Sequence, residues 1–336
     1  MPITLAQAAV NMANDVDYNV VDNLRRTSWL LDQMAFDDVA TLGGGGAMVY
    51  AYNRLVSAAS ASPRAINSEY IPGKATRDQV TVNLKPFGGS FELDRVLRAL
   101  GPAATNEQEF QLLQLQRAAV VRVQQEIVLG DTAVDSRGFD GLSKTLTGST
   151  TEVNSTTLDL TPATLNTQAL AMAALDRFDL WLNSISPSVT GSGTNFGQPG
   201  VPPGTRAILG NTVSIGRVRA LARWASMFSS TTDSLGRFIE DYRGWTLVDI
   251  GDRMDGSAPI IPIGASVAGE TDLYAVSFGM DSLHGASLAG VPLVSVFLPN
   301  WQDPAAVKLT ELEMGPLAIV LKNTKAAGVF RKVKVQ

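Results

Sequence analysis

The sequence contains no cysteine. That absence excludes disulfide scaffolds, thiolate metal sites and cysteine nucleophiles together. Histidine occurs once, at His284, so His-rich metal sites are excluded and imidazole acid–base chemistry has a single candidate. Charged residues are sparse, at 18% of 336, where ordinary soluble chains carry about 25%. No apolar run approaches the roughly 18 residues of a membrane span. No Lys or Arg precedes Arg25, so a secretory leader lacks its charged start. These absences predict a soluble chain made in a cytoplasm.

What is present is ordinary bulk. Hydrophobic residues make up 45%, which excludes wholesale disorder, and the length suits about two domains. Net charge is −5, against a free-standing polyanion binder. Few charges on so large a chain predict that partners cover much of its surface.

Along the chain, residues 1–40 are acidic, with Asp15, Asp17, Asp22, Asp32, Asp37 and Asp38 against Arg25 and Arg26. Short helices are expected at 3–13 and 19–35. Gly43–Gly46 breaks the pattern before a strand at 47–52. Val80, Val82 and Leu84 alternate with polar residues, the period of a half-buried strand. Ile66–Ile71 is its expected hairpin partner. With little sequence nearby to pack against, this hairpin is expected to lie on another subunit. The best helix is 106–129, opened by a Thr105/Gln108 capping box and stopped by Gly130, a rod of about 36 Å. A second helix is expected at 162–183, with Thr161 as cap, Pro162 in its first turn and a stripe of Leu165, Ala169, Met172, Leu175, Phe178 and Leu182. Residues 184–206, rich in Gly and Pro, read as a surface loop. A strand at 206–209 and a helix at 213–227 follow, then strands at 244–250, 259–263, 271–278, 291–298, 307–321 and 328–335. Without a steady βαβ rhythm, the class is α+β.

Tests for chemistry fail one after another. Gly43–Gly46 lacks the Lys-Ser/Thr of a P-loop, and Gly73-Lys74 is followed by Ala75. Gly191–Gly197 misses the dinucleotide spacing and sits in a loop. Asp249, Asp252 and Asp255 are spaced by three, wrong for a calcium loop, and read as an exposed turn. Ser287 near His284 lacks a nucleophile elbow, and His284 reads as a satisfied polar residue beside a turn. No catalytic residue, cofactor or metal site is predicted. After Glu313 the chain carries Lys322, Lys325, Arg331, Lys332 and Lys334 with no acid. Two readings stay open for this basic terminus: contact with nucleic acid or an acidic neighbouring arm, or a solvated strand face.

The order of these features resembles the major capsid proteins of tailed bacteriophages, with the Hong Kong 97-type fold. Leu31–Phe36, then Tyr50–Arg54, is similar to the end of the family's N-terminal arm. Leu84–Arg95 resembles the return of its extended hairpin, the E-loop. The 106–129 helix with Gly130-Asp131 and then Gly138-Phe139-Asp140-Gly141-Leu142 is similar to its spine helix and following turn, and Glu311–Ala318 to its closing strands. The resemblance implies an arm at 1–46, an E-loop region at 47–92, a peripheral domain at 93–140 with 304–336, and an axial domain at 141–303. It implies hexamers and pentamers of the chain in an icosahedral shell, assembled in a bacterial cytoplasm. It also implies a separate scaffolding protein, a portal, room for a decoration protein, and double-stranded DNA touched non-specifically. Lys74, Arg77, Val80, Val82, Leu84 and Lys85 are then the expected intersubunit contacts, and Arg331, Lys332 and Lys334 a basic strand. The family's type member joins an E-loop lysine to a neighbour's asparagine, which would point to Lys74 or Lys85 with Asn323. Glu311 and Glu313 look like strand residues rather than the base such a link needs. Two alternatives remain: an encapsulin-like compartment sharing the fold, and a monomeric hydrolase using Ser287 and His284.

Overall fold

A computed structural model describes residues 28–39, 48–57, 59–95, 102–155, 158–185, 205–224, 228–232, 238–264 and 269–336. The expected helix at 3–13, residues 19–27 of the helix expected at 19–35, the Gly43–Gly46 run and residues 186–204 of the expected loop lie outside them. In chain order the elements are α1 (Trp29–Gln33), β1 (Phe36–Val39), β2 (Val49–Ser57), β3 (Thr76–Asn83), β4 (Lys85–Asp94) and the long helix α2 (Pro102–Leu129). Then come α3 (Leu142–Thr145), β5 (Glu152–Asn154), α4 (Pro162–Leu165), α5 (Gln168–Ser184), β6 (Arg206–Gly210) and α6 (Thr212–Trp224). The rest is strand: β7 (Phe228–Thr232), β8 (Phe238–Tyr242), β9 (Trp245–Asp249), β10 (Glu270–Ser277), β11 (Leu283–Leu288), β12 (Val294–Phe297), β13 (Val307–Leu321) and β14 (Ala327–Lys334). Mixed sheets with helices make the class α+β, as expected.

Three sheets organise the chain. A five-stranded sheet runs β1-β11-β13-β12, with β4 also paired to β13; a seven-stranded sheet runs β5-β14-β10-β6-β9-β8-β7; β2 and β3 form a ribbon. These pairings cross the expected domain boundary at 303/304. β11 and β12 join β13, and β14 joins β10. Strands from either side of that boundary therefore share sheets.

Helix α2 starts at Pro102, four residues before the expected start, so Thr105 stands inside the first turn and not at the cap. Proline suits that position because its missing N–H belongs to a group left unbonded there anyway. Val120, Val123, Ile127 and Val128 bury one face of α2 in a core shared with Leu312, Met314 and Leu317 of β13. A second core lies on the other side of the seven-stranded sheet, under α5 and α6.

The helix expected at 162–183 is broken at Asn166 and Thr167 into α4 and α5. The restart rotates the buried stripe to Ala171, Ala174, Leu175, Phe178, Trp181 and Leu182, leaving Met172 and Ala169 exposed. Helix α6 is described over Thr212–Trp224, residues 225–227 of the expected helix lying outside the described ones, and the expected strand at 259–263 is reduced to a single bridge, Asp252 to Pro259. The closing strand carries a bulge. Lys332 has φ of 58° and the register with β10 shifts there. Strict alternation is lost, so Phe330, Val333 and Val335 all enter one core while Val329 enters the other.

Candidate assembly surfaces

The hairpin is built differently from the local reading. β3 pairs with β2 in antiparallel register, Tyr50 opposite Val82 and Tyr52 opposite Val80. Ile66–Ile71 is not a strand: Asn67 has φ of 68° and the Ser68 N–H bonds back to Ala65 O. A turn thus occupies the segment where a strand was expected.

Its root belongs to the chain's own core. Tyr50, Tyr52 and Leu84 are buried, with Val80 and Val82 packed against them. The Tyr52 hydroxyl donates to Leu321 O at 2.9 Å, and Arg54 Nη2 donates to the same carbonyl at 2.8 Å. The six expected contact residues therefore divide. Lys74 and Arg77 are exposed on the tip, whereas Val80, Val82 and Leu84 pack inward. Lys85 Nζ donates to Ser136 O at 3.0 Å within the chain. The expectation that this hairpin lacks an intrachain core is corrected for its root: the aromatic side chains of β2 supply one.

The tip is another matter. Every described residue from 59 to 79 is exposed, with Ile66 at 92%, Ile71 at 80% and Tyr70 at 67%. The tip holds its shape by local bonds. Arg64 stacks over Tyr70 and donates to Ser68 O at 2.8 Å. Large apolar side chains presented this way mark a surface that a partner covers.

A second bare surface lies on β13. Its burial alternates against its hydropathy: Val307 and Leu309 are exposed while Lys308 and Thr310 are buried. Lys308 reaches inward to Asp303 O at 2.9 Å. Phe297 and Leu298, in and just after the adjacent β12, are also more than half exposed.

Between the hairpin root and the turn after α2 is a cavity of about 480 Å³, lined by Tyr52, Arg54, Lys85, Phe139, Lys144 and Leu321 among others. The turn is fixed by its motif. Gly141 N–H donates to Gly130 O at 2.9 Å, Asp140 accepts from the Thr132 N–H and hydroxyl, and Phe139 stacks edge-on against Phe87. Buried Glu126 lies against Gly138, where any β-carbon would overlap its carboxyl. Burial pushes the Glu126 carboxyl above its ordinary range, against the pull of Arg122 at 3.1 Å.

The basic terminus is largely committed inside the chain. Arg331 pairs with Glu152 and, at 3.3 Å, with Asp272, and it also donates to Ser143 and Thr147. The Arg331 guanidinium is thus engaged within the chain. Lys332 is half-buried beside Asp272 and Lys334 exposed.

The hydrolase alternative fails on geometry. The Ser287 hydroxyl donates to Asp38 at 2.8 Å, and His284 is fully buried within β11 with neither ring nitrogen partnered. This also corrects the reading of His284 as a satisfied residue beside a turn. Asp249 and Asp255 close their own turns through Gly251 and Ser257. Among the described residues, no three acidic or histidine side chains converge on a metal position, and no helix is long and apolar enough to cross a membrane.

No family model and no curated protein sequence matches the chain. Solved structures do. The holo-SrpI encapsulin complex from Synechococcus elongatus PCC 7942 aligns with a TM-score of 0.57 at 13% identity, covering 92% of this chain and 88% of its own. The chain has the Hong Kong 97-type capsid fold. The capsid of the native GTA particle gives 0.51 at 12% identity, over 91% and 90% of the two chains. A chain of Mycobacterium phage Bobi gives 0.51 at 10%, over 90% of each. These matches span close to the full length of each chain.

Proposed function

We propose that the chain is the major capsid protein of a tailed double-stranded DNA bacteriophage. Copies form hexamers and pentamers that close an icosahedral shell around the genome, in the cytoplasm of a bacterial host. Its work is assembly, not catalysis. The observation that carries this is the hairpin tip: an ordered segment on a shell-type fold that exposes Ile66, Tyr70 and Ile71 to nothing of its own. Obligate interfaces of this kind bury on the order of 2,000 Å² or more, and the bare face of Val307, Leu309 and Phe297 offers further area. A separate scaffolding protein guides closure. A portal and a decoration protein complete the partners, and DNA is touched without sequence preference.

Electron microscopy of the expressed chain, alone and with its gene neighbours, tests this. The expected result is few or aberrant shells alone and uniform shells with a scaffold. A monomer in both preparations overturns the reading. Uniform shells filled with a protein cargo transfer it to an encapsulin-type compartment.

A further inference from the structure

His284 is the only histidine of the chain, and its surroundings are unusual. Its side chain is fully buried on β11, opposite Val320 of β13. Neither ring nitrogen meets a hydrogen-bonding partner. A buried polar ring is normally satisfied, and an exception in a packed core calls for an explanation. The ring stands edge-on to Tyr50 at 6.0 Å between centroids. Tyr50 is the residue by which the hairpin root grips the body: its hydroxyl donates to Asp37 at 3.1 Å and the Lys322 ammonium lies over its ring at 5.8 Å. Next to it, Tyr52 and Arg54 hold Leu321 O. The grip of β2 on the five-stranded sheet thus passes directly over an imidazole that is stable there only while neutral.

We propose that His284 is a proton-operated catch on the hairpin root, neutral when the root is seated and, on taking a proton, releasing Tyr50 and the β2–β3 ribbon from β11 and β13. The groups that face it set the direction. Burial and the Lys322 ammonium both oppose the imidazolium, holding His284 below its ordinary range. Asp37, the Ser282 backbone and Asp281 favour the cation, although neither ring nitrogen meets a partner in hydrogen-bond geometry. Tyr50, Tyr52 and Arg54 complete the neighbours, with no further carboxylate among them. A cation formed there has no acceptor of its own, while an opened root lets it reach water. The open form therefore binds the proton more tightly, and linkage requires that its population grow as pH falls below the ordinary histidine value of about 6.5. The catch is a property of the single chain; its consequence for a shell, a hairpin freed to shift against its neighbour, rests on the function proposed above.

Amide hydrogen exchange on the full-length chain, dissociated from any particle, tests the catch independently of assembly. Peptides covering 49–57 and 76–84 are followed from pH 7.5 to pH 5, with intrinsic exchange rates corrected. One linked proton gives at most tenfold faster opening per pH unit below 6.5, so the acceleration at pH 5 lies between one and about thirtyfold. Peptides from α2 keep a constant corrected rate. Because the chain has one histidine, its ring C2 proton resonance gives the titration directly, with a midpoint expected below 6.5. His284→Phe preserves the apolar packing and should abolish the acceleration, whereas Asp37→Asn, which keeps an acceptor for Tyr50, should retain it. A root that opens equally at both pH values overturns the proposal, as does acceleration that survives in His284→Phe or vanishes in Asp37→Asn. Should His284→Phe fail to fold, a wild-type histidine titrating at or above 6.5 overturns it alone.

Discussion

Gly141 and Gly130 meet backbone to backbone, the N–H of one donating to the carbonyl of the other at 2.9 Å. A β-carbon at 141 would stand 2.5 Å from Glu126 O and 2.6 Å from Gly130 N, both main-chain atoms that cannot swing aside. Gly141→Ala should therefore destabilise the chain by about 1–3 kcal/mol. Gly216, inside helix α6, has open space where its β-carbon would go. There alanine should stabilise by about 0.4–1 kcal/mol. Denaturant midpoints of the two variants should move in opposite directions, and a shared direction would contradict the steric account.

Glu126 leaves one carboxyl oxygen buried and unpartnered. Because burial raises its folded pKa above the unfolded value, the folded chain binds the extra proton. The stability this residue contributes is present below the ordinary glutamate range and is lost as pH rises through the folded value. Glu126→Gln should remove that loss and leave the chain equally or more stable at pH 7, by up to about 1 kcal/mol. Unfolding curves at pH 4 and pH 7 check it. A variant weakened more at pH 7 than at pH 4 would show that the ionised carboxylate is the stabilising form.

Arg331 ties β14 to β5, β10 and α3 through Glu152, Asp272, Ser143 and Thr147. Burial pushes Glu152 up, but hydrogen bonds from Arg331 and the Gly148 N–H outweigh it and hold its carboxyl below the ordinary range. Its stabilisation is thus present above the ordinary glutamate value and lost on acidification. Arg331→Ala should cost about 3–5 kcal/mol, the usual result of orphaning a buried charge. Lys334→Ala, on an exposed side chain, should cost within about 0.5 kcal/mol. Thermal unfolding of the purified variants separates this internal role from a charge-mediated contact, which would weaken both alike.

Much of the fold is legible in the sequence where the pattern is local. The strand expected at 307–321 is β13, residue for residue, and Gly130 ends α2 as a helix-stopping glycine should. Its facing was not legible. Hydropathy puts Val307 and Leu309 inside, whereas packing against α2 buries Lys308 and Thr310. The pairing of β3 was missed for a related reason. Its partner β2 lies some 20 residues upstream, and proximity in sequence favoured Ile66–Ile71 instead. Tyr50, Tyr52 and Arg54 did carry a signal, aromatic and basic residues at alternate positions of a strand, but nothing local says what they grip. The break between α4 and α5 falls at Asn166 and Thr167, residue types that favour caps over helix interiors, but the apolar stripe running past them masks that signal. For the tip, the apolar Ile66, Tyr70 and Ile71 fit a strand lying on another subunit, and they are exposed on a turn beyond the core, which ends at Val80.

The hairpin tip is dispensable to the subunit. Residues 59–75 bury nothing, while the root from Val80 onward belongs to the core. Replacing 60–74 with a short Gly-Ser linker should leave circular dichroism and the unfolding midpoint unchanged while abolishing closed shells. Cutting 70–80 instead removes Val80 and most of β3 and should destabilise the fold itself. Shells of normal size from the shortened tip would remove the hairpin from the list of intersubunit elements.

The shell should be held without covalent links. A lysine–asparagine bond needs a free amine, a reachable amide and a carboxylate to take up the proton. Lys85 is the first difficulty, since its ammonium already donates to Ser136 O at 3.0 Å within the chain. Asn323 fails next, because its Oδ1 accepts the Lys325 N–H at 3.0 Å and so caps the short helix Thr324–Ala326. Glu311 and Glu313 stand exposed on β13. Lys74 alone is placed at an exposed tip, and a single group does not make the bond. Mature particles boiled in detergent should run as one band near 35.7 kDa. A ladder that survives boiling would overturn this, and its loss in Lys74→Arg would locate the linkage at the tip.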